Sequence, residues 1–353
     1  MDRRDFLITT GGAVVAATSA TAGAASAQTE SPAVLGSARV LRLALPWADA
    51  PHGPADHVRR LARQIETMTG GRYRIEISAG QDAGAEADLS FAPAHDFAAH
   101  HPAFAYFAGL PGAGALRAAA LPQWLAVGGG QMLWDDLAGD FGWKPLLAGH
   151  LGEAPPLWSK SPITDLASLA GRKVSGSGLA GDVLRAVGAE PVALAPAEVP
   201  VGLADGRLDA VEAGGLAASL ASGVARAASF ATGRGINAQG TALALNIRLP
   251  VWNRLDEADQ LIFAAAAAEA YQAAIADALV HEPIARRVIA EAGVTFQPWP
   301  ADIAEAIARV SEATIAHVAA FDWRAQRIDH SYFAFRALIE GGAVASRAAP
   351  AIG

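Results

Sequence analysis

The chain has 353 residues, 52% of them hydrophobic and 18% charged, which excludes a globally disordered protein and allows more than one packed core. Its formal charge is −8, from 27 Lys and Arg against 35 Asp and Glu, so a broad basic surface for nucleic acid is excluded. It has no cysteine, hence no disulfide, no thiolate metal site and no cysteine nucleophile.

Residues 1–27 read as an export signal. Arg3-Arg4-Asp5-Phe6-Leu7 is a twin-arginine pattern, a soft apolar stretch follows, and Ala25-Ser26-Ala27 supplies a small-x-small cleavage site. The stretch is short and only mildly apolar for a membrane anchor, so the mature chain is expected to start near Gln28 as a soluble periplasmic protein. Residues 40–45 read as a strand. Residues 55–69 carry Val58, Leu61, Ile65 and Met68 at helical spacing, and Gly70-Gly71 closes that helix. Residues 73–78 alternate and form a second strand. This β-α-β unit requires a right-handed crossover and a parallel pair.

A second such unit follows: strand 173–175, helix 182–187, strand 191–194, helix 198–205 and strand 208–212, with a late strand at 241–246. From residue 256 the pattern turns helical: 256–282, a kink or interruption at Pro283, a continuation to Glu291, then 302–321 and 331–339. The apolar run 261–280 holds Glu269 and Asp277, and reads as a helix rather than a membrane span. The last ten or so residues are expected to fray. Two α/β units and a long helix predict two lobes, a cleft between them and a spine behind both.

Gly176-Ser177-Gly178-Leu179-Ala180-Gly181 fits G-x-G-x-x-G between a strand and a helix, with Glu198 further on. Three readings stay open: a dinucleotide fingerprint, a helix start whose N–H groups receive a small anion, or a tight turn that needs glycine. His95, Asp96, His100 and His101 cluster, but no spacing among them puts two imidazoles on one helix face, so a solvated loop is the favoured reading. Glu212 ends an apolar strand just before Gly214-Gly215 and is expected at an edge or cleft, unless it is an ordinary strand-end acid. Trp158 either walls a pocket or packs. No serine-nucleophile elbow, H-E-x-x-H, P-loop or EF-hand loop is present.

Seven segments in order carry a resemblance. They are ETMTGGRYRIEI, LPQWLAVGGGQMLWDDL, AGHLGEAPPLWSKSPI, LRAVGAEPVALAPAEV, LADGRLDAVEAGG, LALNIRLPVWNRL and DWRAQRIDHSYFAFR. Together they resemble the solute-binding proteins of TRAP (tripartite ATP-independent periplasmic) transporters, of the dicarboxylate-binding DctP type, nearest the subgroup that binds 2-oxo acids. The resemblance implies an α/β fold of two lobes with a long spine helix and C-terminal helices. The first lobe would take 38–147 plus about 236–270, the second 148–235 plus about 271–300, and the C-terminal helices 301–345. It further implies capture of a small organic solute, usually a carboxylate, without catalysis, and delivery to a membrane permease. A cation, sodium or calcium, would be held partly by Glu212, and a homodimer would form through the C-terminal helices.

The sequence departs from that family where the solute is held. Ser175 stands at the position of the carboxylate-binding arginine, Ala154 at that of a loop glutamine and Ala213 at that of a tryptophan. His95 and Asp96 stand where the family has paired tyrosines, and segment 80–88 is shorter. The site expected by position comprises Ser175, Ser177 and Gly178 at the helix start, Glu212 and Asn246 as polar partners, His150 and Trp158 from the loop, and His95 and Asp96 from the opposite lobe. An acid would then be held by the helix-start amides with Lys160, Arg172 or Lys173, whereas Glu212 and Asp96 would favour a neutral or cationic solute; in a third reading solute binding has been lost and the protein has another role. Two other functions remain: a ligand sensor that signals to a membrane receptor, and a twin-arginine-exported enzyme with a dinucleotide or metal.

Overall fold

The computed structural model describes residues 38–47, 53–80, 87–112 and 114–341. The export signal, most of the shortened segment 80–88 and the last dozen residues lie outside the described residues. In chain order the strands are β1 (Arg39–Leu45), β2 (Tyr73–Ala79), β3 (Leu89–Pro93), β4 (Trp143–His150), β5 (Leu157–Ser159), β6 (Lys173–Ser175), β7 (Glu190–Val192), β8 (Ala210–Glu212), β9 (Phe230–Thr232), β10 (Ala242–Arg248) and β11 (Thr295–Gln297). They form two sheets, β2-β1-β3-β10-β4 and β11-β9-β5-β8-β6-β7. Each sheet takes one strand antiparallel to its neighbours: β10 between β3 and β4, and β5 between β8 and β9. The sheets are therefore joined by crossings after β4, after β9 and after β10.

The first β-α-β unit forms as its pattern requires. In β1, Leu41, Leu43 and Leu45 alternate inward and are buried. Helix Pro54–Met68 starts on a proline, which has no N–H to leave unpaired there, and buries Val58, Leu61 and Ile65. Beyond it, Gly70 and Gly71 have positive φ, and β2 returns parallel to β1.

The spine is one helix, Glu257–Glu291, with Pro283 inside it. The interruption expected at Pro283 is absent. The proline costs one backbone hydrogen bond, but Ala285 and Ile289 beyond it are buried in the second lobe and hold the helical course. By length and composition the helix is apolar enough to cross a membrane, yet Phe263, Ala266 and Ala270 are buried in the first-lobe core. Its two halves thus belong to different cores.

Helix Ala301–Ala319 also bridges, with Ile303 and Ile307 in the second-lobe core and Ile315 and Val318 in the first. The last helix, Trp323–Ile339, starts eight residues before the expected 331, because Asp322 caps it by accepting the Ala325 N–H at 2.7 Å. Ala325, Ile328 and Tyr332 anchor it in a core with Trp124, Trp134 and Phe107.

Candidate ligand-binding cleft

A cleft of about 260 Å³ opens between the lobes. The first lobe lines it with Trp47, His95 and Asp96, and the second with Ser175, Ser177 and Glu212. Asn237 and Thr241 line it from the segment that crosses between β9 and β10. Strands β6 and β8 run parallel, so Ser175 and Glu212 both sit at carboxyl ends, where open α/β sheets hold their ligands.

Glu212 is the most constrained of these residues. Its own N–H donates to Ser175 Oγ at 3.2 Å. Its carboxylate accepts the N–H groups of Ile236 and, at 3.1 Å, Asn237. Gly235, at φ +67°, makes room for it, since a Cβ there would stand 2.3 Å from Glu212 Oε2. Burial pushes the Glu212 carboxyl up to about 7, and the amide hydrogen bonds pull it down without winning.

Across the cleft, the tight turn Ala94–Phe97 that follows β3 presents His95 and Asp96. His95 Nε2 and Asp96 Oδ1 are 3.8 Å apart, too far for a hydrogen bond. Burial holds His95 below and Asp96 above their ordinary values. Among the described residues no lysine or arginine lines the cleft. Lys160 donates instead to the Ala204 carbonyl, and Arg172 to the carbonyls of Ser168 and Pro162. Lys173 is exposed elsewhere on the second lobe.

The G-x-G-x-x-G segment follows β6 and opens helix Gly178–Ala186, which starts four residues earlier than expected. Packing accounts for Gly176 and backbone conformation for Gly178. A Cβ on Gly176 would stand 2.6 Å from Leu184 Cδ1, and Gly178 has φ +53°. Ser177 caps the helix without a side-chain bond, so its own hydroxyl leaves the first N–H groups unfilled. Gly178 itself does not line the cleft but faces the first lobe, 3.9 Å from Ala98 by its virtual Cβ.

Three further expected residues are placed elsewhere. Trp158 is fully buried in β5 and donates from Nε1 to Ser219 Oγ at 3.0 Å, so it packs rather than walls the cleft. His150 is buried at the end of β4, where Nδ1 accepts the Gly152 N–H at 3.0 Å and burial lowers its pKa to about 4. It lines an adjoining crevice, which shares Pro54, Leu151 and Ala218 with the cleft. Asn246 is buried in the first sheet, opposite Ser90 and Pro145, with no protein partner for Nδ2.

The solvated-loop reading fails at His101, which is buried, sits 3.0 Å from Asp322 Oδ2 and accepts the Ala103 N–H on Nδ1. Sequence reasoning did not find Trp47, Asn237 or Thr241. The repeated glycines at 233, 235 and 240 were the available signal for a crossing segment beside the site.

Residues 52–320 match the family model of DctP, described as bacterial extracellular solute-binding protein, family 7. The chain is 27% identical over 289 residues to the monocarboxylate 2-oxoacid-binding periplasmic protein of Nostoc sp., an overlap of 78% of each chain. In fold it is similar to a TRAP transporter solute-binding protein of Bordetella bronchiseptica with calcium and picolinate (TM-score 0.82, 19% identity, 87% of this chain and 94% of that one). It is also similar to one of Colwellia psychrerythraea with calcium and pyruvate (TM-score 0.78, 22% identity, 86% and 96%).

Proposed function

The chain belongs to the DctP family of bacterial extracellular solute-binding proteins, and we propose that it captures a small 2-oxo acid in the interlobe cleft and delivers it to a TRAP permease. The name of the Nostoc relative and the ligands of the two structural neighbours support that solute class. The observation that carries the reading is the cleft's charge. Glu212 and Asp96 face it, and no arginine or lysine does among the described residues.

A carboxylate solute needs positive charge there, and a cation answers that need. The residues present fit one: a half-buried carboxyl displaced to about 7 is stabilised in its charged form by a nearby cation. Glu212 would hold the ion, and sodium or calcium would supply the charge that Ser175 lacks in place of an arginine. No three His, Asp or Glu side chains come together as a metal site among the described residues, so solute and water oxygens would complete the shell. The remaining parts act directly. Ser175 and Ser177 offer hydroxyls from the second lobe, and Trp47 and His95 close the first-lobe wall.

A thermal-shift panel tests this. Two-oxo acids with calcium or sodium are expected to raise the Tm of the protein, since a solute at 100 times its Kd adds about 2.7 kcal/mol. Shifts only from amines or sugars would overturn the reading. Export is proposed to use the twin-arginine signal, so Arg3→Lys with Arg4→Lys is expected to leave the protein in the cytoplasm. Undiminished periplasmic yield would contradict that.

A further inference from the structure

We propose that Glu282 is a positioning residue for solute capture, tying the spine helix to the strand that carries Glu212. The inference rests on the cleft being the solute site, as proposed above. Between its two cores the spine makes polar contacts with both lobes, and Asp277 lies 3.9 Å from His57 of the first. Asp277 pairs with Arg60 of helix Pro54–Met68 in the first lobe. Glu282, five residues on, accepts the N–H groups of Leu216 at 2.8 Å and Ala217 at 3.2 Å in the second. A crevice of about 390 Å³ lies between the two attachments, with Ala217, Ala221, Ala274 and Ala278 in its walls. Such small side chains leave the lobes room to change angle about the helix.

The seat of Glu282 is built to fit one carboxylate. Burial pushes its carboxyl above the usual range, and the two N–H bonds offset that only in part. A Cβ on Gly215 would stand 2.3 Å from Glu282 Oε1, and one on Gly152 would stand 3.0 Å from it. Gly215 N–H donates to the Leu151 carbonyl at 2.6 Å, on the crossing that follows β4. Helix Leu216–Ser222 has no side-chain cap from Gly215, the residue before it; its cap comes from the spine, 66 positions away. Only Ala213, Gly214 and Gly215 separate Leu216 from Glu212. A shift of the spine at Glu282 therefore reaches the cleft within four residues.

A local cap separates this role from simple helix capping. Glu282→Ala removes the tie and the cap together. Adding Gly215→Ser to it restores an N-cap hydroxyl, at an extended backbone (φ −62°, ψ 178°) that serine adopts, with Gly152 Cα 3.2 Å from the new Cβ giving slightly. The chain has no cysteine, so Glu66→Cys and Arg185→Cys, exposed on opposite lobes, take a pair of spin labels without background.

In the solute-free protein, Glu282→Ala is expected to broaden the label distance distribution. It is also expected to weaken pyruvate binding in calcium about tenfold. Adding Gly215→Ser should recover Tm but neither of these. Return of both to native values with the added serine, or a native distribution in Glu282→Ala, would overturn the proposal. If Glu282→Ala does not fold, Glu282→Gln, which keeps one acceptor, is expected to broaden the distribution at near-native Tm, and a native distribution would overturn it. A native protein that binds no pyruvate would sink the solute reading alone, because the distance distribution needs no solute.

Discussion

At Glu212 two opposing effects meet in one carboxyl: burial favours the proton, and two backbone N–H groups favour the charge. Burial wins, and the group titrates near 7 against an ordinary 4.5. Between those values the folded protein keeps a proton that the unfolded chain has released. Stability from this group therefore falls as pH rises from 4.5 to about 7, by up to about 3 kcal/mol. His150, lowered to about 4 from 6.5, works in the opposite direction, since its folded neutral form gains as pH rises through that range. The difference between native protein and Glu212→Gln isolates the carboxyl. The variant is expected to gain Tm relative to native between pH 5 and pH 8, and a constant difference would contradict this. Glu212 and Ser175 were legible as strand ends. Trp158 was not, because a Pro-Pro-Leu-Trp run reads as loop while β5 lies inside a sheet.

Among the elements, helix Trp323–Ile339 shows what a short pattern hides. Its first half carries Arg324, Gln326 and Arg327, and one of the three residues turned inward is the charged Asp329 beside Ala325 and Ile328, so the sequence revealed just residues 331–339. Its anchor is Tyr332, whose hydroxyl accepts the Leu116 N–H at 2.6 Å and whose ring meets Trp124 edge-on at 5.0 Å. Tyr332→Ala is expected to cost about 4 kcal/mol, read as a lower urea midpoint. A loss under about 1 kcal/mol would mean the helix is an appendage rather than part of the first-lobe core. In the spine, Pro283 is exposed and withholds one helix hydrogen bond. Pro283→Ala is expected to stabilise by about 1–3 kcal/mol, and a lower Tm would show that the proline shapes the helix.

For the whole molecule, the parallel parts of each sheet were readable because a strand, a helix and a strand in sequence allow one handedness. The antiparallel strands β4, β5 and β10 were harder, since their places depend on partners far away in the chain. Those strands sit beside the crossings between the lobes, and the crossing after β9 brings Asn237 and the amides that hold Glu212. The cleft was thus half legible: its strand ends by pattern, its crossing wall only in three dimensions. The charge of that cleft sets the central claim, that a cation stands in for the arginine absent at Ser175. Calorimetric titration of the protein with pyruvate, in calcium and then in excess chelator with sodium removed, tests it directly. The account predicts binding with the cation, none without it, and chelator-resistant binding in Ser175→Arg. Equal affinity of the native protein in both buffers would contradict it.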